Sequence, residues 1–97
     1  MLDFQELFIR SSEFYDGEVS TQITEKEMSA VLEKIKRLAI TAEANVKDLK
    51  MLFGILAHYH KTVELQQCIK AISNRCALDA YNQVMKEYYE DLELRNS

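Results

Sequence analysis

A chain of 97 residues with no proline and only two glycines, Gly17 and Gly54, has little material for loops. Tight turns draw on glycine, proline, asparagine and aspartate for their special backbone angles. A sequence so short of the first two is best read as long regular elements joined by brief connections. No stretch alternates polar and apolar residues as a strand would, and no internal repeat or low-complexity tract is present. Active sites and phosphate cradles tend to sit on loops, so the same shortage argues against an enzyme.

Helical spacing and capping residues place the elements. The first helix starts at Asp3, whose carboxylate can cap the free N–H groups of the first turn, with Glu6 placed to reach back. Leu2 and Leu7 form its hydrophobic staple, Phe4, Leu7, Phe8 and Phe14 follow at helical spacing, and Gly17 suits the left-handed position after the end. Thr24-Glu25-Lys26-Glu27 is a full capping box, stapled by Ile23 and Met28. The second helix then carries Met28, Val31, Ile35, Leu38 and Ala42 on one stripe, with Glu33 and Arg37 as an i,i+4 pair on the other face. Asn45 with Asp48 is expected to open a third helix, stapled by Ala44 and Leu49. That helix is expected to be the longest, running on through Val63, Leu65, Cys68, Ile69 and Ile72, with Ser73-Asn74 as the only break before a fourth. The fourth presents Leu78, Tyr81, Met85, Tyr88 and Leu92. The expected fold is all-α: one domain over residues 1–97, a small antiparallel bundle of about four helices.

Within the third helix, residues 51–57 read Met-Leu-Phe-Gly-Ile-Leu-Ala and are apolar on every side. A helix apolar all round is buried all round. A chain this short has few neighbours to surround it, so the sequence predicts a homodimer that completes the bundle. The expected interaction surface is Met51, Leu52, Phe53, Ile55, Leu56 and Tyr59, joined by Tyr81 and the amphipathic pair Tyr88-Tyr89.

The net charge of −4 does not attract nucleic acid or an anionic membrane to the chain as a whole, and nucleic acid is not an expected partner. The charge is uneven, however. Residues 34–50 concentrate Lys34, Lys36, Arg37, Lys47 and Lys50 against Glu43 and Asp48. Read as a helix-turn-helix, this patch would place a recognition helix at Val46-Lys47-Asp48-Leu49-Lys50, which offers lysines but no arginine or glutamine to read bases. No apolar run approaches the ~20 residues of a membrane helix, so no membrane role is expected. The acidic start Met-Leu-Asp-Phe-Gln-Glu lacks the pattern of a signal peptide. A cytoplasmic location follows as the expectation, with Cys68 and Cys76 as free thiols.

The densest cluster of chemistry is His58-Tyr59-His60-Lys61. Two histidines two residues apart point to nearly opposite sides of a continuous helix and cannot share a metal. His60, Glu64 and Cys68 do line up at i, i+4 and i+8, but one helix seldom supplies a whole site and no second cluster completes it, so neither metal nor cofactor is expected. No nucleophile–base–orienter set can be assembled around the cysteines. Ala57-His58-Tyr59-His60-Lys61 resembles the A-H-x-x-K segment of histidine phosphotransfer domains, which are four-helix bundles of about this size. The resemblance covers about five residues and implies His58 as phospho-acceptor, Lys61 as the cation steadying the phosphate, and a receiver domain as partner. Thr62 stands where that family has glycine or serine, and His60 where it has an apolar residue. Phe8-Ile9-Arg10-Ser11-Ser12 and Ser29-Ala30-Val31-Leu32 are similar to strings in small enterobacterial stress and biofilm regulators. Neither string carries chemistry, and no family follows from them.

The reading these features favour is a small non-enzymatic helical module that works by binding protein, as an adaptor, chaperone, immunity or regulatory protein. The alternatives are a phosphotransfer module acting through His58 and a DNA-associated regulator acting through residues 34–50.

Overall fold

The computed structural model describes residues 2–97, which form an all-α bundle of five helices: α1 Phe4–Tyr15, α2 Glu25–Leu38, α3 Ala42–His58, α4 Thr62–Ile69 and α5 Arg75–Asn96. The capping residues explain where they begin. Asp3 accepts from the backbone N–H groups of Gln5 and Glu6 at the start of α1. Thr24 and Glu27 close both halves of the capping box on α2, and Ile23 is buried beside them. Glu27 also accepts from Arg10 at 2.8 Å, so one carboxylate caps α2 and ties it to α1. Asn74 accepts from the N–H groups of Cys76 and Ala77 and opens α5. The expected stripe is inward: Val31 and Ile35 are buried on α2, with Met28 and Leu38 packed against the core, and Ala42, which falls at the start of α3, is buried too. The Glu33–Arg37 pair is not among the ion pairs formed by the described residues.

Two boundaries differ from the sequence expectation. The third helix begins at Ala42 and not at Asn45, because Ala39–Thr41 form a 3-10 turn that keeps the chain wound after α2. Asn45 lies inside α3, where its amide donates to the Thr41 carbonyl and hydroxyl at 2.9 and 2.8 Å. Ala44 is exposed and makes no staple with the buried Leu49. The second correction is larger: the helix expected to run from Asn45 to Ile72 is two helices. His60 N–H donates to the Ala57 carbonyl at 2.9 Å and Lys61 N–H to the Leu56 carbonyl at 2.8 Å. That double bond pattern is a Schellman motif, and His60 takes its left-handed position with φ of +60°. The same motif ends α1, where Gly17 and Glu18 donate to Phe14 and Glu13 and Gly17 has φ of +79°. The chain therefore breaks at residues 59–61 and again at 70–74, and α5 at 22 residues is the longest helix, ahead of α3 at 17.

Side-chain pairings set the helix directions. Phe8 packs on Gly54, Ser11 meets His58, and Phe14 stacks on Tyr59 at 4.9 Å. Phe53 meets Tyr81 edge-on at 5.9 Å, and His60 meets Tyr88. Numbers rise together along both contacts, so α1, α3 and α5 run the same way while α2 and α4 return. The centre is α3: Leu49 and every residue from Leu52 to Ala57 are buried among the other helices. Phe53, Ile55 and Leu56 are fully enclosed and Tyr59 is buried with them, while Met51 is half-exposed. One chain thus covers the row that was expected to need a second copy. The large apolar side chains that stay exposed, among them Ile9, Ile40, Val63 and Leu94, are spread over α1, the 3-10 turn, α4 and α5.

Two stability predictions follow. His60→Ala and His60→Gly both remove the imidazole, but only glycine adopts positive φ freely, so the glycine variant should be more stable than the alanine variant by about 1 kcal/mol in urea unfolding. A Cβ at Gly54 would sit 3.0 Å from Phe8 Cε1. Gly54→Val should therefore overpack the α1–α3 contact and cost about 1–3 kcal/mol.

Candidate functional site

Because α1 and α5 both lie along α3, a groove of about 340 Å³ is left between them, floored by α3. Its floor is Lys50, Met51, Gly54, Ala57 and His58, a stripe at helical spacing along one side of α3. Phe8 and Tyr15 form the α1 wall; Gln83, Val84 and Glu87 lead the α5 wall. Gly54 and Ala57 are the smallest residues available, which is why the floor lies low.

One end of the groove is closed by a linked set of side chains. The Tyr15 hydroxyl donates to Asp91 at 2.6 Å, Arg95 donates to the same carboxylate at 2.6 Å, and Arg95 donates again to Asp16 at 2.7 Å. The Arg95 guanidinium also lies over the Tyr15 ring, 4.3 Å from its centroid. This set ties the end of α1 to the end of α5. Burial, helped by the bond to Asp91, pushes the Tyr15 phenol up to about 12. The Tyr15 bond, with Arg95 behind it, holds the Asp91 carboxyl below its ordinary value.

His58 stands at the junction of floor and closed end, its ring 5.5 Å from that of Phe8 and 5.1 Å from that of Tyr15. Its Nδ1 lies 3.1 Å from Ser11 Oγ. Ser11 is fully buried and has one hydroxyl proton, which it gives to the Phe8 carbonyl at 2.6 Å. Nδ1 must then carry the ring proton and donate to Ser11, leaving the lone pair on Nε2. Among the described residues Nε2 has no hydrogen-bond partner, and no polar side-chain atom is both buried and unpartnered. Nε2 is therefore not sealed from solvent, and His58 is one of the residues lining the groove. Burial keeps the imidazole below its ordinary value of 6.5, Asp16 and Asp91 pulling it up and Arg95 down. At neutral pH, His58 is an uncharged acceptor.

The sequence expectations sort clearly against this geometry. His58 and His60 do not diverge. The left-handed turn swings His60 back so that both rings face Tyr15, at 5.1 and 5.8 Å, and His60 Nδ1 meets the Tyr88 hydroxyl. That turn also takes His60 off the face of α4, so the His60–Glu64–Cys68 row does not exist. No group of three potential metal ligands is gathered among the described residues. Lys61 lies beyond the end of α3, so it does not stand one helical turn above His58 as the phosphotransfer resemblance implies. Of the expected interaction residues, Met51 and Tyr88 line the groove, Tyr89 is exposed beside Tyr88, and Leu52, Phe53, Ile55, Leu56 and Tyr59 are interior. Tyr81 is half-buried against Phe53. The basic residues divide. Lys36, Arg37 and Lys47 are exposed and Lys34 is half-buried, while Lys50 belongs to the groove. Val46-Lys47-Asp48-Leu49-Lys50 lies inside α3 and is not a helix start. Sequence reasoning missed Ser11, Tyr15, Asp91 and Arg95. Only Ser11 left a trace, standing with Leu7 and Phe14 on the inward spacing of α1.

No protein-family model matches the chain, and neither a curated protein nor a solved structure is significantly similar to it.

A pH dependence follows from His58. A histidine held below its unfolded value stabilises the fold above about 6.5 and loses that contribution as pH falls through the lowered folded value. Glu27 and Asp91, also held low, lose theirs only in the carboxylate range. The urea midpoint should therefore fall between about pH 7.5 and 5, and His58→Gln should flatten that slope. In an NMR titration, the His58 ring should titrate below 6.5.

Proposed function

We propose that the protein is a non-enzymatic docking module, an adaptor or regulator that holds a protein partner in the groove between α1 and α5. The observation that carries this reading is the groove itself: an apolar floor of Met51, Gly54 and Ala57 with polar groups at its edges, on three rigid helices. Sites of about 300–1,000 Å³ with an apolar lining and a few placed polar groups are the usual form of a binding site. The chemistry around it favours binding over turnover. Ser11 is buried with its proton committed to a carbonyl, and His58 donates to Ser11, so His58 is not a base for that hydroxyl. Burial pushes the Cys68 thiol up, away from the reactive thiolate. Phe8 and Tyr15 flank the His58 ring, and Lys61, beyond the end of α3, is misplaced for a phosphate on it. No helix is long and apolar enough to cross a membrane among the described residues.

A photo-crosslinking side chain at Gln83, on the exposed α5 wall, tests the reading against the same group at Glu33 on α2. A discrete adduct with another protein, formed from position 83 and not from 33, is expected. Equal labelling from both positions, or none, would sink the docking reading. Incubation with acetyl phosphate should leave no acid-labile phosphate on the protein; labelling abolished by His58→Gln, but not by His60→Gln, would put phosphotransfer in its place.

A further inference from the structure

The two ends of the groove differ in chemistry. Lys50 is the one cation among its lining residues and lies at the open end, eight residues along α3 from His58, or ~12 Å. Toward the closed end stand three acceptors, His58 Nε2, the Glu87 carboxylate and the Asp91 carboxylate, the last already taken by Tyr15 and Arg95, while the Tyr88 hydroxyl is engaged with His60. α1 and α3 both finish there, at Tyr15 and His58, so the negative ends of two helix dipoles point to the same place. The chain shows the preference of this end for cations: Arg95 already sits against Tyr15, Asp16 and Asp91. Glu87 has no such partner. It is exposed, and among the described residues it makes no ion pair and nothing donates to His58 Nε2.

From this charge pattern we infer that the groove takes an amphipathic helix of a protein partner, seated along α3, with an arginine or lysine reaching the closed end to donate to His58 Nε2 and Glu87. The inference rests on the docking reading and adds the partner's chemistry. A helix is the matching shape because α1, α3 and α5 run in one direction and leave the place of a fourth rod between α1 and α5. Helices pack with axes 8–10 Å apart depending on the side chains between them, and Gly54 and Ala57 allow the close end of that range. Lys50 then faces the other end of the guest helix and favours an acid there, which fixes its direction. A symmetric dimer through this face would set one concave groove against another and fill neither.

The test uses the full-length chain as bait for a phage-displayed library of 14-residue helix-favouring peptides, with counter-selection on Met51→Glu. Met51 is half-exposed on the groove floor, and circular dichroism checks that the variant keeps its helices. Enriched peptides should carry an apolar stripe at i, i+3/i+4 and i+7 with a lysine or arginine at one fixed place. Their affinity, read by fluorescence anisotropy, should drop about tenfold on Glu87→Lys, a change at an exposed side chain. Enrichment of neutral or acidic peptides, or affinity indifferent to Glu87→Lys, overturns the cationic inference and leaves docking standing. No enrichment over Met51→Glu overturns both. Self-association of the chain that Met51→Glu abolishes would make the occupant a second copy and overturn the inference as well.

Discussion

Leu52 through Ala57 turn apolar surface in every direction around α3, and six consecutive residues exceed a full helical turn, so no single neighbour can cover them. The architecture answers that demand. α1 lies on one side, held close by Phe8 against Gly54; α5 lies on another, with Tyr81 edge-on to Phe53; α2 supplies Val31 and Ile35. A Cβ on residue 54 would push Phe8 outward and with it the wall of the groove. The burial of α3 and the shape of the site are therefore one fact seen from inside and from outside.

Direction is settled by the turn at His60. A helix running unbroken through residues 59–61 would carry Leu65 and Cys68 away from the core. The left-handed residue ends α3, sends α4 back, and lets α5 return alongside α3 in the same direction. Non-glycine residues pay about 1–2 kcal/mol for that conformation, and here the imidazole is held among Phe14, Tyr15 and Tyr88. Parallel α1 and α5 over a shared α3 leave a valley where an additional helix would fit. Tyr15, Asp91, Arg95 and Asp16 close one end of it by joining the ends of α1 and α5.

His58 owes its character to its neighbours and not to its place in a motif. In the sequence it stands in a string similar to a phosphotransfer helix. In the structure, Ser11 fixes its tautomer, Phe8 and Tyr15 flank its ring, and burial keeps it neutral. A neutral ring lining a groove, with its lone pair on Nε2, can accept from a guest. The docking proposal gives it that role in place of a catalytic base or a phosphate acceptor.

Local chemistry alone was enough to read much of this protein. Asp3, the Thr24–Glu27 box and Gly17 marked helix ends because capping depends on residues within one turn of each other. The stripe on α2 and the encirclement of α3 were legible because helical periodicity is a property of the chain itself. The break at residues 59–61 was not, since histidine takes a position that glycine normally advertises, and the rings of Phe14, Tyr15 and Tyr88 that surround it come from distant parts of the chain. Nor was the coverage of α3 by a single chain: whether an apolar face finds its partner inside or outside the molecule depends on how many helices return to it, and that follows from the hidden break. The groove and its acceptor end were decided wholly by tertiary structure. Ser11 and His58 are 47 residues apart and Tyr15 and Asp91 are 76 apart, and no local pattern records contacts at such separation.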